Sequence, residues 1–428
     1  MPLGARLSWE RLSRIVPLIV VGAVLATMAG LGAGAVVRPH DLAGSARYSL
    51  LAGFLLAIGL YGSTQAIDLG ALRRDVRGVL VAVTLGVVLK ATVIAGVMLL
   101  AFHEARFLVL GIAVAQIDPL SVAAMRASSR MSERAKALLF AWASFDDPVT
   151  VLLALYFSIL AFRWSGREGT PRTGPSGDGA VGYLTDLGWN VVLVAGALLV
   201  FFVLRAMRRR AGARAGGGGG RGVDLLSLVA LAGLFLIAAD SMLMLAVAVT
   251  GLFFRVGAHA ELIDRAVSVA FLVASFALGL LLVDGVDLLP ALVLGCAAFG
   301  AQALISLLVV PVLKHGLSRR DRVHLALGQQ NGITAIILAL ALEPDFRGTV
   351  GIVAPAIVVV NVLHYASNGV LNRFADRSPS PDAPPEADVE DPFLAEVFPP
   401  DAAAAHPRAA DPRGGHLRTP APGTDATA

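Results

Sequence analysis

Two neighbouring aspartates, Asp146 and Asp147, lie inside an apolar run that extends more than eight residues on either side. The motif reads Ser144-Phe145-Asp146-Asp147-Pro148. An ionisable side chain at membrane depth is expensive, and it marks a site or pathway for ions or protons by default. Two adjacent carboxylates cannot both be ionised cheaply there, so they exchange protons as a unit. A dehydrated sodium-class cation wants oxygen ligands and negative charge. The carboxylates, backbone carbonyls and the Ser144 hydroxyl could supply them. Adjacent helical residues point about 100° apart, so both acids can border one cavity but not one narrow stripe. Pro148 removes a backbone donor beside them and weakens the helix at that point. The competing reading, a helix cap or an interface pair, requires that the span boundaries be displaced.

Further polar residues fall at similar depth. Gln116-Ile117-Asp118-Pro119 interrupts the preceding apolar run, and Gly328-Gln329-Gln330-Asn331-Gly332-Ile333-Thr334 interrupts a late one. Non-helical backbone survives in a bilayer only where it is buried in protein or lines a cavity. Asp118 is suited to balance the positive end of a half-helix. The late amides could instead be packing glue between helices. Lys90 lies too deep in its run to snorkel, and a carboxylate partner is expected from Asp146, Asp147 or Asp118. His364 reads as a satisfied packing histidine, with Asn361 a weak candidate beside it. Asp240, Asp284 and Asp287 fall at span ends, facing water.

The elements that must hold these residues are membrane helices. The chain has 428 residues, 56% of them apolar and 15% charged, with a mean hydropathy of +0.74. A soluble protein of this length cannot hide so much apolar surface. Apolar spans fall at about 15–37, 48–66, 79–102, 106–126, 136–162, 187–205, 223–239, 241–255, 266–284, 288–313, 323–343 and 349–372. Asp146 is then about ten residues into its helix, roughly 15 Å and close to the bilayer midplane. The stretch 223–255 is read as two short spans split by Asp240, with one bent segment as the alternative. With the N-terminus inside, the inner segments before the tail carry 22 Lys and Arg and the outer segments 7. That bias supports an even number of spans, with both termini cytoplasmic in the cell membrane. Ala33-Gly34-Ala35 resembles a signal-peptide cleavage site, but the apolar run before it is too long, and a retained helix is expected. Two interrupted helices that run in opposite directions, at corresponding places in the two halves, point to inverted repeats. The organisation expected is a first half over 1–210, a Gly/Arg-rich cytoplasmic linker over 211–222, a second half over 223–375 and a disordered cytoplasmic tail over 376–428.

These residues resemble the bacterial sodium/proton antiporters of the monovalent cation/proton antiporter superfamily. Ile117-Asp118-Pro119 with Ser121-Val122-Ala123 is similar to that family's Thr-Asp-Pro broken helix. Ala143-Ser144-Phe145-Asp146-Asp147-Pro148, entered after Ser132-Glu133-Arg134, is similar to its paired-acid helix. Gly59-Leu60, Ile67-Asp68-Leu69 and Arg73-Arg74 resemble an earlier signature, and Gly328–Gly332 resembles the late glycine-bracketed segment. The resemblance covers about residues 48–372. It implies an all-α polytopic protein of about 12 transmembrane helices, with two crossed broken helices moving against a dimerisation scaffold, assembled as a homodimer. It implies exchange of a monovalent cation, sodium first, for protons. Asp146 and Asp147 would be the alternating cation and proton site, supported by Asp118, Gln116, Ser144, Lys90, Gln329, Gln330 and Asn331. The chain departs from the family at Ile117, where a threonine is usual. It also has no Lys or Arg in 290–312 or 328–334, where relatives carry a basic partner; Asn331 stands in that place, and Lys90 is a substitute from another helix.

Other classes fit less well. A cation channel could use the same acids, as could a cation-coupled symporter of similar build, although two mid-membrane acids disfavour an organic anion as cargo. No His-Glu-x-x-His zinc motif occurs, so neither an enzyme nor a cofactor is expected. No basic-aromatic patch of the nucleic-acid kind is present. The single cysteine, Cys296, cannot form an intrachain disulfide.

Overall fold

A computed structural model describes residues 9–37, 42–65, 67, 86–119, 122, 131–173, 179–214, 220–255, 260–313 and 317–375. Among these residues there are helices and connections and no strand. The helices are α1 (Trp9–Val37), α2 (Ala46–Gln65), α3 (Leu89–Phe102), α4 (Arg106–Ala113), α5 (Glu133–Trp164), α6 (Gly179–Arg214) and α7 (Gly220–Ser241). They continue with α8 (Met244–Phe253), α9 (Ala260–Leu282), α10 (Leu288–Leu313), α11 (Arg319–Ala326), α12 (Ile333–Leu342) and α13 (Thr349–Ala375). Seven of the described helices are long and apolar enough to cross a membrane, and shorter apolar helices accompany them. Among the described residues, a helix falls in each of the 12 spans expected from the sequence. The chain is a polytopic helical membrane protein.

Local chemistry sets several of the helix ends. Ser132 caps α5 by accepting from Ala135 N at 3.3 Å, and Ser318 caps α11 by accepting from Asp321 N at 3.0 Å. The two caps are joined, because Ser132 N and Oγ both donate to the Asp321 carboxylate at 2.9 Å. At the far end of the second half, Glu343 receives Gly348 N and Val350 N, each at 2.7 Å, and so satisfies the free donors at the start of α13.

The stretch 223–255 makes two passes. Ser241 ends α7, and Met242 takes a left-handed backbone (φ 53°) before α8 begins. Phe235 packs on Tyr61 (ring centroids 5.3 Å apart) and Ala239 lies against Gly53, so α7 runs antiparallel to α2. Met242 Sδ lies against Gly53 and Gly251 lies against Thr64, so α8 runs back parallel to α2, and Tyr61 Oη donates to Phe254 O at 2.5 Å. Asp240 is exposed at the reversal, as its place at a span end suggested. The expected linker 211–222 is shorter than its composition implied. α6 continues to Arg214 and α7 starts at Gly220. Arginine and alanine propagate a helix well, and positive charge suits its C-terminal end. The expected tail over 376–428 lies outside the described residues, as do Asp68, Leu69, Arg73, Arg74 and Ser121.

The helices sort into two sets by packing. α1, α2, α6, α7, α8 and α9 pack on one another, as do α3, α4, α5, α10, α11, α12 and α13. The sets meet along α12, which packs on α2 and α9 as well as on α13, where α9 lies against α13, and where α5 lies against α2 and α8; α12 is grouped with the second set because the break before it is hydrogen-bonded to the 114–118 segment. Connections assigned to one side of the membrane bond to each other. On the arginine-rich side, Arg255 Nη2 donates to Ile67 O (2.6 Å), beside the Ser132–Asp321 link. On the other side, Arg172 N, Thr173 N and Thr173 Oγ1 all donate to the Asp345 carboxylate (2.9, 2.9 and 2.6 Å). There Arg172 also reaches across to the other set, donating from Nη1 to Gly44 O at 2.6 Å. Close by, Tyr48 Oη of α2 donates to Leu340 O of α12 at 2.8 Å.

α1 runs unbroken through Ala33-Gly34-Ala35 and lies backbone to backbone along α9. A Cβ at Gly30 would stand 2.0 Å from Phe276 O, and one at Gly279 would stand 2.0 Å from Thr27 O. Lipid offers no hydrophobic drive for helix association, so close approach of this kind supplies the packing. Gly279→Ala should therefore cost about 1–3 kcal/mol of stability by overpacking. Gly300→Ala, where a Cβ meets nothing within 4 Å, should be neutral. Thermal unfolding of the two variants in detergent checks the contrast.

Candidate functional site

The site is built where two interrupted helices cross. α4 stops at Ala113, the chain is unwound over 115–118, and Pro119 resumes helical geometry, where its missing N–H is harmless. The second interruption runs from Leu327 to Gly332, between α11 and α12. The unwound segments satisfy each other. Asp118 N donates to Gln330 O at 2.9 Å. Asn331 Nδ2 donates to Val114 O (2.9 Å) and Gln116 O (3.0 Å), and Gln329 Nε2 donates to Gln116 O (2.8 Å). The amides thus cover carbonyls at the negative end of α4. Gln330 meets His364 Nε2 through its side-chain amide, while His364 Nδ1 donates to Leu327 O at 2.6 Å. The ring is satisfied on both nitrogens, as expected of a packing histidine. Asn361 closes the same junction by donating to Asn331 O at 3.0 Å and accepting from Asn331 N at 3.2 Å.

Asp118 is buried with its carboxylate against Gly332, the N-cap of α12. A Cβ on Gly332 would stand 2.2 Å from Asp118 Oδ2, so only glycine lets the two segments approach this closely. The carboxylate therefore sits at the positive end of the half-helix α12, which belongs to the other interrupted span.

α5 passes beside the crossing and carries both acids, each fully buried. It stays helical through Pro148, whose effect is limited to the bond it cannot make to the Ser144 carbonyl. The two carboxylates enter different surroundings, as adjacent positions on one helix must. Asp146 turns toward α3 and α10. It forms an ion pair with Lys90, accepts from Ile117 N at 3.0 Å and faces Thr150 Oγ1 at 3.4 Å. Lys90, also fully buried, makes a second bond to Gln302 Oε1 of α10 at 3.3 Å. Of the three acids that could have paired with Lys90, geometry selects Asp146. Gln302 stands in the 290–312 span that lacks a basic residue and is joined instead to the lysine of α3.

Asp147 turns toward α2 and α12. Ser63 of α2 donates to Asp147 Oδ2, and Thr334 Oγ1 of α12 donates to the same atom at 2.9 Å. Gln116, with its amide nitrogen facing Asp147, donates to Oδ1 at 2.6 Å and accepts from Ala335 N at 2.5 Å. Among the described residues, no basic side chain pairs with Asp147. One buried carboxylate therefore has a built-in counter-ion, while its neighbour has only neutral donors whose oxygens could turn to a bound cation.

Of the residues expected at the site, Lys90 and Gln116 touch the two aspartates, while Asp118, Gln329, Gln330 and Asn331 hold the adjoining crossing of the two breaks. Ser144 is directed elsewhere: it is buried, but its hydroxyl donates to Phe140 O at 2.8 Å, four residues back along its own helix. A serine inside a helix favours that local bond. Sequence reasoning missed Ser63 and Gln302 as members of the site, and it quoted Thr334 without giving it a role. A polar run at the end of an apolar span, Gly62-Ser63-Thr64-Gln65, was the available signal for Ser63.

Lys90→Ala should leave Asp146 buried without its counter-ion and cost about 3–5 kcal/mol. Adding Asp146→Asn should recover part of that loss. A double-mutant cycle of thermal stability in detergent tests this, and simple addition of the two single effects would mean the pair is not coupled.

No protein-family model matches the chain, and no curated protein does. Two solved structures of the sodium proton antiporter MjNhaP1 from Methanocaldococcus jannaschii are similar to it. One, from an electron-microscopy map, is 16% identical, covers 86% of this chain and 99% of that chain, and has a TM-score of 0.53. The other, at pH 8, is 15% identical, covers 84% of this chain and 97% of that one, and has a TM-score of 0.44. The first likeness establishes a shared fold along nearly the whole of that protein, in agreement with the fold expected from the sequence.

Proposed function

We propose that this chain is a secondary active transporter that exchanges a monovalent cation, sodium first, for protons, with Asp147 as the exchanging group. The observation that carries the reading is the contrast between the two aspartates. Asp146 is neutralised by Lys90, whereas Asp147 is fully buried at the crossing among hydroxyl and amide groups. A proton or a dehydrated cation can each neutralise Asp147, and the two compete for one place. Moving an empty, charged carboxylate past apolar helices is costly, and moving a loaded one is not. Exchange then requires only that the two helix sets have two packings around a central site. The likeness in fold to a sodium proton antiporter supports the same reading. In it the chain is no enzyme and needs no cofactor, and it works as a homodimer in the cell membrane with both termini cytoplasmic.

Asp147→Asn should abolish cation-dependent proton movement in everted vesicles, and Asp146→Asn should reduce it strongly. The parent should alkalinise an acid-loaded vesicle lumen on addition of external sodium, to an extent that depends on the proton gradient. Cation flux that ignores that gradient would make the protein a channel. Undiminished exchange by Asp147→Asn would remove that residue from the site.

A further inference from the structure

Most groups around Asp147 belong to the helix set that carries it: Gln116 follows α4, and Thr334 lies in α12. Ser63 does not. It lies on α2, which packs with α7, α8 and α9 in the other set and meets α12 and α5 across the boundary between the sets. We propose that Ser63 is a side-specific cation ligand, completing the Asp147 site only in the packing seen here and staying behind when the two sets shift. This rests on the exchange reading above and adds to it a residue that makes the two faces of the transporter unequal.

The hydroxyl of Ser63 is suited to that role. It has one proton and two acceptor lone pairs. The proton has two available acceptors, Asp147 Oδ2 and, at 3.1 Å, Gly59 O one turn earlier in α2. With Asp147 ionised and empty, Ser63 donates to it. With a cation on Asp147, the proton can rotate to Gly59 O, and the oxygen then faces the ion at no cost in unsatisfied donors. One side chain therefore serves both the empty and the loaded carboxylate.

The present packing is bonded across the sets on the arginine-poor side. There Tyr48 of α2 donates to Leu340 O of α12 (2.8 Å), and Arg172, in the connection from α5 to α6, donates to Gly44 O ahead of α2 (2.6 Å). Ser63 lies toward the opposite end of α2, two residues before its last residue, Gln65. The face served by the complete site is accordingly the arginine-rich one.

The test is sodium/proton exchange in proteoliposomes, with the apparent KM for sodium measured separately from each face. Ser63→Ala should raise KM from the arginine-rich face about five- to tenfold, the effect of losing one polar ligand. KM from the other face should stay within about twofold of the parent, a tolerance below that loss. Ser63→Thr keeps the hydroxyl and should behave as the parent, which guards against a folding artefact. Thr334→Ala, whose hydroxyl travels with Asp147, should raise KM on both faces. An equal rise on both faces for Ser63→Ala, or none on either, overturns the proposal while leaving exchange at Asp147 intact. A parent protein with no exchange at all overturns both.

Discussion

Backbone that leaves the helix inside a bilayer must find its hydrogen bonds within the protein, and that demand organises this molecule. The chain breaks twice, at 115–118 and 327–332, and the two breaks solve each other's problem by crossing. Asp118 N reaches Gln330 O, while the side chains of Gln329 and Asn331 reach back to the carbonyls of Val114 and Gln116. Each open half-helix end presents partial charge, so the crossing also concentrates field at one point. Asp118 answers the positive end of α12, and neutral amides answer the negative end of α4. A carboxylate brought alongside on α5 then lies among oriented dipoles and hydroxyls, with little room for water.

This arrangement divides labour between two residues that look alike in sequence. Asp146 and Asp147 differ in which way the helix turns them. The first reaches Lys90, Gln302 and the peptide N–H of Ile117, a fixed set with its own positive charge. The second reaches Ser63, Thr334 and Gln116, a set with none. Rotation by about 100° between neighbours is enough to separate a carboxylate held in an ion pair from one surrounded by neutral donors. The pairing draws on α10 as well, which itself contributes no basic residue over 290–312. Gln302 of α10 holds the lysine of α3 from the far side.

Much of this was legible in the sequence, because polar residues in lipid-thickness sequence are costly enough to be conspicuous. The spans, the two breaks, the acids and Lys90 were all readable from depth and spacing. The charge bias correctly grouped loops that bond to each other, such as those carrying Ser132 and Asp321. What was not legible was direction. Ser144 stands three residues from Asp147 yet turns back to its own helix, a choice between a local carbonyl and a cavity that spacing does not reveal. Ser63 and Thr334 are ordinary helix residues until another helix arrives beside them. The partner of Lys90 was undecided among three acids, because selecting one depends on how α3, α5 and α10 rotate against each other. The linker boundary failed for a different reason: arginine-rich composition reads as loop, although arginine propagates a helix well.

The ionisable groups of the site all come from the first half of the chain: Lys90, Asp118, Asp146 and Asp147. The second half contributes Gln302, Gln329, Gln330, Asn331 and Thr334, none of which carries charge. Synthesis delivers the first half to the membrane before the second exists. Lys90 and Asp146 lie on α3 and α5, so they can meet with α3 to α5 alone in place, and the nascent chain need not leave either charge facing lipid while the remaining helices are made. The order of residues along the polypeptide thus doubles as an order of assembly, in which the Lys90–Asp146 pair can form early and the neutral amides arrive last to close the crossing.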